Sequence, residues 1–95
     1  MTRSLVELGA DQLLGGDGDD DLFGQAGTDL VFGSNGDDFI LGGTEDDLIF
    51  GNRGFDEIRG NAGDDTIIGG LGDDNIDGGV GDDKMFGSLG DDFIK

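Results

Sequence analysis

The chain contains no cysteine, proline, histidine, tryptophan or tyrosine. Without cysteine no disulfide can staple the fold, and with neither cysteine nor histidine the preferred ligands of zinc and copper are missing. The lack of proline excludes a polyproline rod. The 22 glycines exclude a helical bundle, since each glycine in a helix interior costs about 1 kcal/mol relative to alanine. Basic residues are scarce as well, five against 23 acids, for a net charge of −18. That balance opposes nucleic acid and anionic membrane surfaces and makes cations the natural partners. No apolar run approaches the ~18 residues of a membrane span. Glu7 and Asp11 interrupt the N-terminal segment where a cleavable Sec-type signal needs an unbroken apolar stretch. Three serines, two lysines and the carboxylates are the only candidate catalytic groups, so the chain is read as non-enzymatic.

What is present is a period of nine. Residues 15–95 are nine consecutive nonapeptides without insertion or deletion, beginning GGDGDDDLF, GQAGTDLVF, GSNGDDFIL and ending GGVGDDKMF, GSLGDDFIK. The first position is Gly in all nine units, the fourth is Gly in eight, the sixth is Asp in all nine, and the eighth is always aliphatic or Met. The two glycine columns ask for a backbone that reaches positive φ, the aspartate column for a hard anionic oxygen, and the eighth position for burial. Residues 6–14, VELGADQLL, keep the phase through Gly9, Asp11 and Leu13. They read as a degenerate repeat within an N-terminal cap, residues 1–14, ahead of one repeat array at 15–95. Leu, Ile, Val and Phe make up 27 of the 95 residues, too many for an acidic disordered tail. A chain that stays unfolded until a cation arrives reconciles that content with the charge.

The last three residues of each unit have strand character, as in LVF at 30–32, FIL at 39–41 and TII at 66–68, and only the middle one need face inward. A turn after every strand makes successive strands alternate between two sheets. Two units, 18 residues, then complete one coil of an all-β parallel solenoid, and units n and n+2 stack. The eighth positions supply two core columns: Leu22, Ile40, Ile58, Ile76 and Ile94 on one side, Leu13, Val31, Ile49, Ile67 and Met85 on the other. So thin a core cannot offset the ordering of some 80 residues at about 1 to 2 kcal/mol each. Stacking also brings the sixth-position carboxylates of units n and n+2 to about one strand spacing, roughly 4.8 Å, where they repel. A hard divalent cation between them reverses the sign of that term. Ca²⁺ takes six to eight oxygens, which glycine-rich turns can complete with carbonyls, whereas Mg²⁺ demands tighter octahedral geometry.

The unit GGxGxDxUx, matched in full by GGDGDDDLF, GGLGDDNID and GGVGDDKMF, resembles the repeats-in-toxin (RTX, hemolysin-type) calcium-binding nonapeptide. The resemblance covers residues 15–95 and implies a right-handed parallel β-roll, a two-sheet solenoid whose turns bind calcium. It implies as ligands Asp20, Asp29, Asp38, Asp47, Asp56, Asp65, Asp74, Asp83 and Asp92, with the turn glycines Gly18, Gly27, Gly36, Gly54, Gly63, Gly72, Gly81 and Gly90. Pairing n with n+2 gives seven sites, and Asp11 with Asp29 an eighth, so seven or eight Ca²⁺ are expected. It further implies a secreted bacterial protein exported by type I secretion. The array runs to the last residue, so the chain reads as a piece of a larger protein or as one whose export lies elsewhere. Two alternatives stand beside the module itself: an accessory module of a secreted protease, lipase or hemolysin, and an adhesion scaffold.

Departures from the unit carry their own expectations. Glu45 replaces a fourth-position glycine, so the backbone there is either strained or distorted, and the neighbouring sites are the doubtful ones. Thr28 and Phe55 replace fifth-position Asp, a column read as solvated charge rather than ligand. The stretch DGDDDL at 17–22 opens like an EF-hand loop but fails at Leu22 and Thr28, where Gly and Glu are needed. Among the outward columns, Phe32, Phe50, Ile68 and Phe86 form an apolar ridge, read as a contact face for another domain or a second copy.

Overall fold

A computed structural model describes residues 2–5, 9–10 and 12–95, and among them every regular element is a strand. The odd strands are β1 (Thr2–Leu5), β3 (Asp20–Phe23), β5 (Phe39–Gly43), β7 (Glu57–Asn61), β9 (Asn75–Asp77) and β11 (Phe93–Ile94). The even ones are β2 (Gln12–Leu14), β4 (Leu30–Phe32), β6 (Leu48–Arg53), β8 (Thr66–Leu71) and β10 (Lys84–Leu89). Odd strands form a six-stranded sheet and even strands a five-stranded one, each in chain order. Every pairing is parallel and advances by two units, as in Leu22 against Ile40 and Ile49 against Ile67. The expected solenoid of 18 residues per coil is therefore the observed one.

The eighth-position columns are the core. Leu13, Leu22, Val31, Ile40, Ile49, Ile58, Ile67 and Ile76 are at most 2% exposed, and Met85 packs half-buried against them. The columns run out at Ile94, 42% exposed in the last coil. With one side chain per strand on each side, the body is a slab whose Cα extents are 31 × 28 × 12 Å.

At the N-terminus the structure adds a strand that the periodicity had not suggested. Strand β1 pairs parallel with β3, placing Thr2 opposite Asp20 and Ser4 opposite Leu22. Ser4 thus holds the core register one coil upstream of the first apolar residue in that column. Strand β2 pairs with β4 and buries Leu13. Residues 6–8 and Asp11 lie outside the described residues, so the degenerate repeat is seen only in part.

The two invariant glycine columns do different jobs, which corrects the sequence reading. Positive φ falls on the second and fourth positions, for example Ser34 at 75° and Gly36 at 110°, and at no first-position glycine. The first position needs glycine for space instead. A Cβ on Gly33 would stand 2.7 Å from Asp38 Oδ2 and 2.8 Å from the Gly51 carbonyl oxygen. Glu45 adopts the left-handed conformation of the glycines it replaces, φ 73°, and its carbonyl lies under Gly63 as that of Gly18 lies under Gly36. The turn keeps its shape, and the backbone strain costs about 1 to 2 kcal/mol.

Candidate metal centre

Each sixth-position aspartate closes a turn just before its strand, and the stacking of coils arranges these residues in two columns along the edges of the slab. Asp20, Asp38, Asp56, Asp74 and Asp92 form one; Asp29, Asp47, Asp65 and Asp83 form the other. Seven of them, Asp20 through Asp74, are no more than 3% exposed, and Asp83 and Asp92 in the last coil are half-buried.

Burial of so many carboxylates is expensive unless each finds a donor or a cation. One oxygen of most of them does find a donor. Oδ1 of Asp38, Asp56, Asp74 and Asp92 accepts the backbone N–H of Asp20, Asp38, Asp56 and Asp74, at 2.9 Å in every case. On the other edge Oδ1 of Asp47, Asp65 and Asp83 accepts from the N–H of Asp29, Asp47 and Asp65 at 2.8 Å. Each of these seven carboxylates thus clips its coil to the preceding one. The second oxygen is orphaned: Oδ2 of Asp38, Asp47, Asp56, Asp65 and Asp74 is buried and meets no donor, and in Asp20 neither oxygen does. Each orphan is held inside its own turn, against the first glycine of the unit.

That environment pushes the carboxyls far above their ordinary range. Desolvation by burial is the largest cause, partly offset by the backbone hydrogen bond each accepts and reinforced by neighbouring aspartates. Asp38 and Asp47 are raised to about 7, Asp56 to about 8, and Asp65 and Asp74 to about 6, from 3.8. A carboxyl whose pKa is raised on folding binds more protons folded than unfolded. Its contribution to stability is full below 3.8 and is lost as pH climbs through 6 to 8. The metal-free chain is accordingly expected to hold more β-structure at about pH 5 than at about pH 8. Far-UV circular dichroism in chelator checks this; equal or reversed signals would contradict the burial of these groups.

The donor set fits a hard cation. Among the described residues no point gathers three acidic or other ligating side chains. A cation at a turn therefore has at most the two carboxylates of stacked units and must take its remaining oxygens from backbone carbonyls or water. The fourth-position glycines, with positive φ throughout, turn their carbonyls toward the next coil, where that of Gly18 meets Gly36 and that of Gly54 meets Gly72. Ca²⁺, flexible in coordination number and bound readily by carbonyls, suits such a set. Asp11 lies outside the described residues.

The fifth-position aspartates are more than solvated charge. Oδ1 of Asp19, Asp37, Asp46, Asp64 and Asp73 accepts the N–H of the residue one coil later, at 2.7 to 2.9 Å. A second, exposed ladder runs beside the buried one, pointing in the opposite direction along the chain. Phe55 has no acceptor to offer Asp73, so that ladder breaks there. The signal was available in the sequence, since seven of nine units carry Asp at this position.

A family model described as RTX calcium-binding nonapeptide repeat (4 copies) matches residues 7–40, 41–76 and 59–94, together nearly the whole chain. Comparison with curated proteins and with solved structures returned no match.

Proposed function

Because the chain belongs to the RTX calcium-binding nonapeptide repeat family, we propose that it is a calcium-binding β-roll whose folding is driven by Ca²⁺ held between stacked turns. The observation that carries this reading is the column of buried Asp Oδ2 atoms without donors. Protonation can relieve them at acid pH; once pH passes the raised range of these carboxyls, about 6 to 8, a cation is the remaining remedy. Asp20, Asp38, Asp56, Asp74 and Asp92 would hold the ions of one edge, and Asp29, Asp47, Asp65 and Asp83 those of the other, with turn carbonyls from Gly18, Gly27, Gly36, Gly54, Gly63, Gly72, Gly81 and Gly90. Bound calcium supplies the positive charge that turns carboxylate repulsion between coils into attraction.

Pairs of stacked units number seven, and seven divalent ions bring 14 positive charges against a formal −18. Metal binding to such sites is folding free energy, since no site exists in the unfolded chain. Extracellular calcium modules bind at about 10⁻⁴ to 10⁻³ M, so a chain of this kind stays unfolded in a cytosol and folds outside it. This supports a secreted protein, with passage through a type I channel in the unfolded state. No catalytic role is assigned. The apolar outer ridge supports a contact with another domain, as in an accessory module of a secreted enzyme or toxin, or with another copy. Calorimetric titration tests the reading: about seven Ca²⁺ per chain with coupled folding are expected, and binding of one or two ions without folding would overturn it.

A further inference from the structure

The two outer faces of the slab differ in charge. On the six-stranded sheet Asp21, Glu57 and Asp77 alternate with Arg59 and Lys95, and Arg59 pairs with Glu57 at 3.2 Å. On the five-stranded sheet the two outward columns hold none of the 23 acids. Leu14, Phe32, Phe50, Ile68 and Phe86 lie in register down one column, with Leu48 in the adjacent one. Leu14, Leu48 and Phe86 are 69%, 37% and 55% exposed. The Phe32 and Phe50 rings stack 8° from parallel with centroids 5.2 Å apart, so the ridge is a flat ladder with the pitch of the coils.

We infer that this face is a calcium-dependent dimer interface between two copies of the chain. The inference rests on the calcium-driven roll proposed above. A flat ladder repeating at one strand spacing is matched by another ladder of the same pitch, and a second copy presents one. Self-contact also needs a face free of like charge. In these two outward columns the only charged residue is Lys84, in the last strand of the sheet; Arg53, at the end of β6, lies beyond them. A two-fold axis running along the strands between the facing sheets lays β2 of one copy over β10 of the other. It thereby separates the two Lys84 residues by four strand spacings, about 19 Å. The remaining charge acts through the metal: copies at −18 repel, and loading with divalent ions removes most of that repulsion.

Area sets the strength. Five strands and three residues along each give a footprint of about 24 by 10 Å. This is a few hundred Å² per copy, below the roughly 800 Å² per partner of long-lived complexes. An interface of that size is weak and transient.

Sedimentation of the full chain from about 10 µM to about 1 mM, with circular dichroism on the same samples, tests this. In calcium the folded wild type is expected to pass reversibly from monomer to dimer, Phe50→Glu to stay monomeric while folded, and Phe93→Glu, on the other sheet, to dimerise as wild type does. A folded wild type that remains monomeric at the highest concentration overturns the interface and leaves the calcium roll standing, as does a folded Phe50→Glu chain that dimerises normally. A chain that neither folds nor associates in calcium overturns both.

Discussion

Replacing Asp56 by asparagine is expected to move the metal-free and calcium-loaded states in opposite directions. Asp56 sits in the middle of its column, 2% exposed, with Oδ1 on the Asp38 N–H at 2.9 Å and Oδ2 buried without a donor. Asparagine retains an oxygen for that N–H and removes the charge that burial resists most, the carboxyl raised to about 8. Free of metal at pH 8, Asp56→Asn should be more structured than wild type. In calcium it should be the weaker, because one carboxylate serves two stacked pairs, Asp38 with Asp56 and Asp56 with Asp74. The ion count is expected to fall by about two and the midpoint of folding to rise at least about tenfold in calcium, the equivalent of 1.4 kcal/mol. Alanine at the same position abandons the Asp38 N–H as well, which costs about 1 to 3 kcal/mol more, and should be destabilised in both conditions. Calcium titrations of the three chains by circular dichroism and calorimetry separate the charge of Asp56 from its hydrogen bond. Parallel behaviour of the asparagine chain with and without metal would count against a cation at this turn.

A larger loss is expected from a single methyl group at Gly51. A Cβ there would lie 2.6 Å from Asp56 Oδ2 and 2.7 Å from the Gly69 carbonyl oxygen. Neither atom belongs to a flexible side-chain end: one is locked in the carboxylate clip, the other in the backbone of the next coil. Gly51→Ala must spread the coils where the core is one residue thick, so about 3 kcal/mol or more is at stake, enough to raise the calcium needed for folding and to lower the melting temperature in saturating calcium. The informative contrast is Gly16→Ala. Gly16 has φ 83° and no heavy atom within 4 Å of an added Cβ, so only backbone strain applies, about 1 to 2 kcal/mol. Thermal unfolding of the two variants in saturating calcium checks the order. Equal effects would mean that the first-position glycines are kept for conformation rather than for space.

That contrast also marks where the sequence was legible. A strict period of nine with one apolar position per unit leaves a single register, so the two sheets, the parallel pairing and the columns through Ile40, Ile58 and Ile76 followed from spacing alone. The candidate site was legible as a column of Asp, because a polar residue repeated at an inward-facing turn position has to be answered by a counter-charge. The division of labour within the turn was not. Two glycine columns look alike in a sequence, and only the stacked coils show that Gly33 yields room to Asp38 while Gly36 supplies positive φ. Nor does spacing reveal that Asp38 reaches back to the Asp20 N–H while Asp19 reaches forward to that of Asp37, since both hydrogen bonds join residues 18 apart. Strand β1 carries no signal in the sequence because Ser4, in register with Leu22, lacks the apolar mark of the other coils.

Calcium, and not the apolar core, is proposed to decide whether this chain folds. Far-UV circular dichroism of the metal-free chain at pH 8, titrated with Ca²⁺ and separately with Mg²⁺, addresses it most directly. A cooperative gain of β-signal with Ca²⁺, absent with Mg²⁺ over the same range, is the expected result. A chain already folded in chelator at that pH, or one that remains unfolded at saturating Ca²⁺, would contradict it.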